Sequence, residues 1–183
     1  FDDITPESAY VLGLIATDGC VYKNTVVITQ SNKCGKELLQ QIQRLAGGSI
    51  YNGAGKSKSH RRSTRLVLFG EHLVNTLEQY GIHERKTKTV KFPELSRELL
   101  PHFIRGVLDG DGCVHLGKLC SGRNIPNFSV QICTASFPFI SGLLREVRNA
   151  GHKEGHLFVK RDGEFFVSTW NTLLAAKFLD WLY

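Results

Sequence analysis

The sequence predicts an α+β fold assembled from two copies of one αββαββα unit, residues 1–92 and 93–183. Two observations carry this prediction. Small, apolar segments end in Asp-Gly-Cys twice, "GLIATDGC" at 13–20 and "GVLDGDGC" at 106–113, 93 positions apart. Behind each ending, strand-like and helix-like stretches recur in one order, and a fixed long-range repeat argues duplication of a supersecondary unit.

The first unit opens with Thr5-Pro6-Glu7: Thr5 can cap a helix, Pro6 fits its first position, and Glu7 suits the positive end of the dipole. The helix runs through "SAYVLGLIATDG" and stops at Gly19. A strand, "VVITQ" (26–30), and a helix, "KELLQQIQRLAG" (36–47), come next. Strands around "SIYN" (49–52) and "STRLVLF" (63–69) precede a helix, "EHLVNTLEQY" (71–80). β-branched alternation marks the strands, and apolar residues at i, i+3 and i+4 mark the helices. "HERKTKTVKFPELSRE" (83–98), charged and holding Pro93, reads as the connector.

The second unit repeats the order with "PHFIRGVLDGDG" (101–112), "FSVQIC" (128–133), "FISGLLREVRNAG" (139–151), "HLFVK" (156–160), "EFFVSTW" (164–170) and "NTLLAAKFLDWLY" (171–183). Gly112 aligns on Gly19 with an offset of 93, but Leu143 on Leu38 needs 105, so this copy carries extra residues around "GKLCSGRNIPN". Trp181 marks a terminal helix packed on the core.

Composition fits this organisation. The chain has 183 residues, 42% hydrophobic and 22% charged, enough for a sizeable core. No apolar run is long enough to span a membrane, and the N-terminus is not signal-like. Met is absent even at position 1, as expected of a trimmed fragment. The net charge of +6 is concentrated in residues 1–92, which hold 13 basic and 8 acidic side chains; a polyanion is a plausible class of partner. Five Cys without a CxxC pair argue for a reducing, intracellular setting over a disulfide framework, and Cys113, His115 and Cys120 lack the fourth ligand of a zinc site.

Gly13 and Thr17 are four apart, as are Gly106 and Gly110, so each motif helix carries a stripe of small residues on one face. Such stripes let two helices approach closely. Packed in parallel through these four residues, the helices bring Asp18 and Asp111 together at their C-terminal ends. Two carboxylates beside two negative helix ends raise a pKa or require a cation. An all-oxygen site suits Mg²⁺ or Ca²⁺, with the carbonyls of Thr17 and Gly110 as further ligands. Asp-Gly is also a common turn pair, but two copies equally placed in a repeat favour the metal-binding seam.

"VLGLIATDG" (11–19) and "IRGVLDGDG" (104–112) resemble the paired signature segments of LAGLIDADG homing endonucleases, and the repeat resembles the single-chain, two-repeat type over nearly the whole chain. The resemblance implies two four-stranded antiparallel sheets forming a saddle on a long double-stranded DNA site, bound by a monomer. It implies cleavage of both strands with 3′ overhangs, using Mg²⁺, with Ca²⁺ supporting binding without cleavage and Mn²⁺ a substitute. The catalytic acids correspond to Asp18 and Asp111. Gln30 and Lys86 correspond to the active-site Gln and Lys; in the second copy the Gln position falls on Thr134 or Ala135. The first motif departs at its sixth position, Ala16, where the second has Asp109.

Lys56, Lys58, Arg61, Arg62 and Arg65 lie in an acid-free stretch suited to phosphate contacts. Alternation turns Thr25, Val27 and Thr29 outward in the first copy and Ser129, Gln131 and Cys133 in the second, where a sheet in the major groove can read bases. Lys23, Asn24, Tyr51, Asn52 and Thr64 extend this face, as do Arg123, Asn124, Asn127, Lys153, His156, Lys160 and Arg161. The seven histidines share no spacing and receive no catalytic role. A splicing maturase or a non-cleaving DNA-binding regulator on the same scaffold is the main alternative. An intein insert is compatible with the nuclease reading, whereas a carboxylate-dyad hydrolase of another class fits poorly, because "ATDG" follows a helix.

Overall fold

A computed structural model describes residues 4–31, 33–53, 63–117, 128–160 and 163–183. The first repeat contains α1 (Pro6–Asp18), β1 (Gly19–Tyr22), β2 (Thr25–Gln30), α2 (Lys33–Ala46), β3 (Ser49–Gly53), β4 (Ser63–Phe69) and α3 (Glu71–Gln79). The second contains α4 (Leu100–Asp111), β5 (Gly112–Leu116), β6 (Phe128–Thr134), α5 (Phe137–Asn149), β7 (His156–Lys160), β8 (Phe165–Asn171) and α6 (Leu173–Leu182). Each repeat forms one antiparallel four-stranded sheet, in the orders β1-β2-β4-β3 and β5-β6-β8-β7. This is the expected α+β architecture.

Thr5 caps α1 by accepting from the Ser8 amide, and Ser8 returns the bond to the Thr5 amide at 2.8 Å, a reciprocal cap built with Ser where Glu is more usual. At its other end α1 passes straight into β1, and α4 into β5. The sequence suggests a helix stop at Gly19; the structure shows a direct helix-to-strand joint. Gly19 is extended there (φ −75°, ψ 137°), as is Gly112 (φ −95°, ψ 165°). Glycine is needed for room, not handedness, since a Cβ at Gly19 would lie 2.5 Å from the Ile15 carbonyl oxygen.

α1 and α4 form the centre of the molecule. A Cβ on Gly13 would collide with the carbonyl oxygen of Phe103, and one on Gly106 with that of Tyr10, so the two backbones touch symmetrically. Gly110 likewise abuts the Thr17 hydroxyl. Ala9, Leu12, Phe103, Ile104 and Val107 are buried in this seam and the layer around it. Each sheet covers the helices with its inward side chains, Val26, Ile28, Leu66 and Leu68 in one and Val130, Ile132 and Trp170 in the other.

The connector is packed, not loose. Phe92 meets Phe103 edge-on at 5.2 Å between ring centroids and sits against Gly142 of α5, where a side chain would clash. Buried Ser136, the α5 cap, donates its hydroxyl to the Val90 carbonyl at 2.6 Å. The Val90 amide in turn donates to the Lys86 carbonyl at 2.7 Å, the same carbonyl on which the Thr89 amide closes a short 3₁₀ turn, Lys86–Lys88, at 2.9 Å. Among the described residues, no helix is long and apolar enough to cross a membrane.

Because backbone cannot yield as a side chain can, Gly13→Ala or Gly106→Ala must spread the helices. Each should cost about 2–3 kcal/mol, at the upper end of overpacking penalties. Chemical denaturation should show the loss; a midpoint shift within error of zero would contradict the backbone-contact geometry.

Candidate metal and nucleic-acid site

The parallel seam carries Asp18 and Asp111 to the same end of the molecule. A Cβ placed on Gly110 would lie 3.6 Å from Asp18 Oδ2, so the Asp18 carboxylate lies beside the terminal turn of α4. Gln30, at the end of β2, donates from Nε2 to Asp18 Oδ2 at 2.7 Å. Lys86 is only 7% exposed and donates from Nζ to the Thr17 carbonyl at 3.2 Å. A connector charge with that burial is a built part of the site. One of the two carbonyls expected to assist a cation, Thr17, thus already holds an ammonium.

Charges within the cluster are coupled. Burial holds the Lys86 ammonium below its usual range, while Asp111, Cys20 and Asp18 work in the opposite direction. Asp18 is raised by burial and partly restored by the Gln30 bond and Lys86. Asp111 is pushed from an ordinary 3.8 up to about 6, first by partial desolvation of its carboxyl and then by the Asp18 charge. The residue still reaches solvent, and its carboxyl makes no hydrogen bond to a described residue.

The second repeat explains that difference. Gly19 pairs with Ile28 and Gly112 with Ile132, so Gln30 corresponds to Thr134. Thr134 is committed elsewhere: its hydroxyl accepts from the Ser136 amide at 3.1 Å, at the entry to α5. Among the described residues, the first acid therefore has a side-chain hydrogen-bond partner and the second has none.

Two carboxylates at converging helix ends, with excess negative potential, fit a hard divalent cation. Asp18 and Asp111 would hold it. Among the described residues, no group of three or more His, Cys, Asp or Glu side chains is placed to hold a metal. Water and a bound phosphate would have to complete the shell, an arrangement Mg²⁺ tolerates well.

Strand alternation sets the broad faces of the sheets. Thr25, Val27 and Thr29 share one face with Arg65, Tyr51 and Val67, opposite to the core. Ser129, Gln131 and Cys133 do the same in the second sheet, with His156 and Thr169 in register beside Gln131. Lys23 sits in the β1–β2 turn at φ 49°, with Asn24 beside it, and Lys153 and Lys160 are exposed on the second half. Thr64 departs from expectation. Paired with both Gln30 and Asn52, it lies on the core side of β4, 8% exposed, and donates to Asn52 Oδ1 at 3.3 Å. Register places Asn52 on that side too, although it remains exposed. Lys56, Lys58, Arg61, Arg62, Arg123, Asn124, Asn127, Arg161 and Cys120 lie outside the described residues.

A further polar cluster was not evident from sequence. Tyr10 and Tyr183 donate to the two oxygens of Asp109 at 2.8 and 2.9 Å, with the Arg105 guanidinium 5.0 Å from the Tyr10 ring. Asp109 thus ties α6 to α1 and stands apart from the acid pair. Ala16, its counterpart in α1, is buried. Tyrosines on facing helices gave no periodic signal that could have predicted this contact.

Residues 5–81 match the model of the LAGLIDADG-like domain family. That match spans the first repeat, and the whole chain has the fold of the LAGLIDADG meganucleases. It is similar in structure to the N-terminal LAGLIDADG domain of DUF199/WhiA, with 12% identity, a TM-score of 0.66, and coverage of 98% of this chain and 82% of that one. Mesophilic variants of the homing endonuclease I-DmoI match at 21% identity and a TM-score of 0.61, covering 97% of this chain and 94% of theirs. I-SmaMI bound to uncleaved target DNA with calcium ions matches at 17% and 0.55, covering 98% and 85%. A single-substitution variant of I-DmoI has also been captured with its target DNA in the presence of magnesium. No curated protein sequence matches the chain.

An elevated carboxyl has a definite thermodynamic sign. Asp111 binds its proton more tightly folded than unfolded, so its contribution is fully present below pH 3.8 and is lost as pH rises through about 6. Without metal, Asp111→Asn should therefore melt about 2–4 °C higher than the parent at pH 7, the shift that about 1 kcal/mol gives in a chain of this size. The difference should vanish near pH 4 and shrink at pH 7 when Mg²⁺ is added. A constant difference across pH would remove the electrostatic origin.

Proposed function

We propose that this chain is a monomeric, site-specific DNA endonuclease that hydrolyses phosphodiesters of a long duplex with a divalent cation and leaves 3′ overhangs. One observation carries this reading: a backbone-tight helix seam delivers two acids to one place, beside a buried lysine, within a fold shared with I-DmoI and I-SmaMI. A bound Mg²⁺ would supply Lewis acidity and stabilise a leaving oxygen. Asp18 and Asp111 would hold the ion. Gln30 would orient the Asp18 carboxylate, and Lys86 would place a positive charge where a phosphate gains negative charge in the transition state. The sheet faces opposite to the core would bind the duplex.

The match to WhiA favours a second reading, DNA binding without cleavage, since the fold accommodates a protein not described as a nuclease. Incubating a plasmid library of candidate sites in Mg²⁺ separates the two. The endonuclease reading expects linear products with defined ends, abolished by EDTA and by Asp18→Asn or Asp111→Asn, with binding in Ca²⁺ retained. Binding without any scission under Mg²⁺ or Mn²⁺ would favour the second reading.

The unequal surroundings of the two acids bear on the time course. Asp18 has Gln30, and Asp111 has no such partner among the described residues, so the strands should be cut at different rates. Nicked circles should accumulate before linear product, with the nick mapping to one strand in most molecules. Nicks divided evenly between strands would show that the Gln30 contact has no kinetic role.

A further inference from the structure

This inference rests on the DNA-binding reading above and concerns which bases the site specifies. The central strands β2, β4, β6 and β8 are each paired on both sides, so an outward side chain on them is held between neighbours on two flanks. Away from the strand ends, their outward positions hold mostly Val, Thr and Cys, which make one-sided or purely apolar contacts. Two side chains are different. Arg65, third in β4, is exposed and flanked in register by Thr29 on β2 and Tyr51 on β3. Gln131, fourth in β6, is half-buried and flanked by Cys113 on β5 and Thr169 on β8, the latter 6% exposed. Neither makes a hydrogen bond or ion pair with another described residue. Asn171 has a comparable head group, but it ends β8 beside the strained turn at Thr172 (φ 42°).

The geometry points to Arg65 and Gln131 as the two principal base readers, fixing one guanine in the half-site under the first sheet and one adenine in the half-site under the second. The chemistry is complementary in each case. A guanidinium offers two parallel donors to O6 and N7 of guanine, and a carboxamide offers one acceptor and one donor to N6 and N7 of adenine. In the major groove those patterns are unique to their base pairs. Flanking side chains in register restrict the swing of each reader, which a loop residue would lack. Val27 and Val67, paired beside Arg65, can only add contacts to thymine methyl groups.

Selection from randomised duplexes in Ca²⁺, followed by sequencing of the retained DNA, tests this. The unaltered chain should enrich a site with one strongly fixed G in one half and one strongly fixed A in the other. Arg65→Gln should convert that G to A, and Gln131→Arg should convert that A to G. Arg65→Lys, which keeps the charge and loses the fork, should reduce discrimination at the first position by roughly 5- to 150-fold. Circular dichroism melts of each variant separate misfolding from altered reading, and the Lys variant supplies the readout if the Gln variant does not fold. If the parent enriches a defined site but both variants enrich the same one, this inference falls and the DNA-binding reading stands. If the folded parent retains no duplex at any salt, both fall.

Discussion

The closeness of two helix backbones governs this structure. Gly13 against the Phe103 carbonyl and Gly106 against the Tyr10 carbonyl bring α1 and α4 to a separation that any β-carbon would prevent. That contact fixes the relation of the two sheets, because each hangs directly from its helix through Gly19 or Gly112 with no intervening loop. It also fixes the acids, which occupy the last residue of each helix. A single steric constraint thus positions both the surface that would meet a duplex and the chemistry aimed at it.

Placing the acids there has an electrostatic cost. Helix carbonyl ends already carry partial negative charge, and two carboxylates add to it. Both acids are raised, the second more clearly. Lys86 compensates incompletely, from within a burial that itself disfavours the ammonium. A cation at this end of the seam would relieve that excess, and the polar groups around it are already held by hydrogen bonds, strand register and the seam. Such strain at a functional locus is typical where local preferences and global fold disagree.

Most of this was legible in the sequence. The doubled Asp-Gly ending, the small stripes, the order of elements and the outward positions of β2 and β6 follow from periodicity and from the repeat. The short strands β1 and β5 were harder to place, since four or five residues abutting a helix give little periodic signal. Thr64 was misplaced by one step of the pleat: only its pairing with Asn52 and Gln30 shows which face it takes. The Asp109 clamp depends on residues far apart in sequence meeting across helices, which no local pattern encodes. Burial of Lys86 was equally hidden, because a lysine in a charged connector normally reads as solvated.

That lysine has an ownership problem. It belongs by chain order to the first repeat and serves the end of the first motif helix. Its backbone, however, is pinned through Val90 and Phe92 to Ser136, Phe103 and Gly142, all in the second repeat. Severing the chain anywhere between Lys86 and Leu100 would leave the ammonium tethered to one fragment and its anchor in the other. Symmetric dimers rebuilt from either repeat alone would have to invent a new mooring for that charge, so the two halves are no longer interchangeable parts.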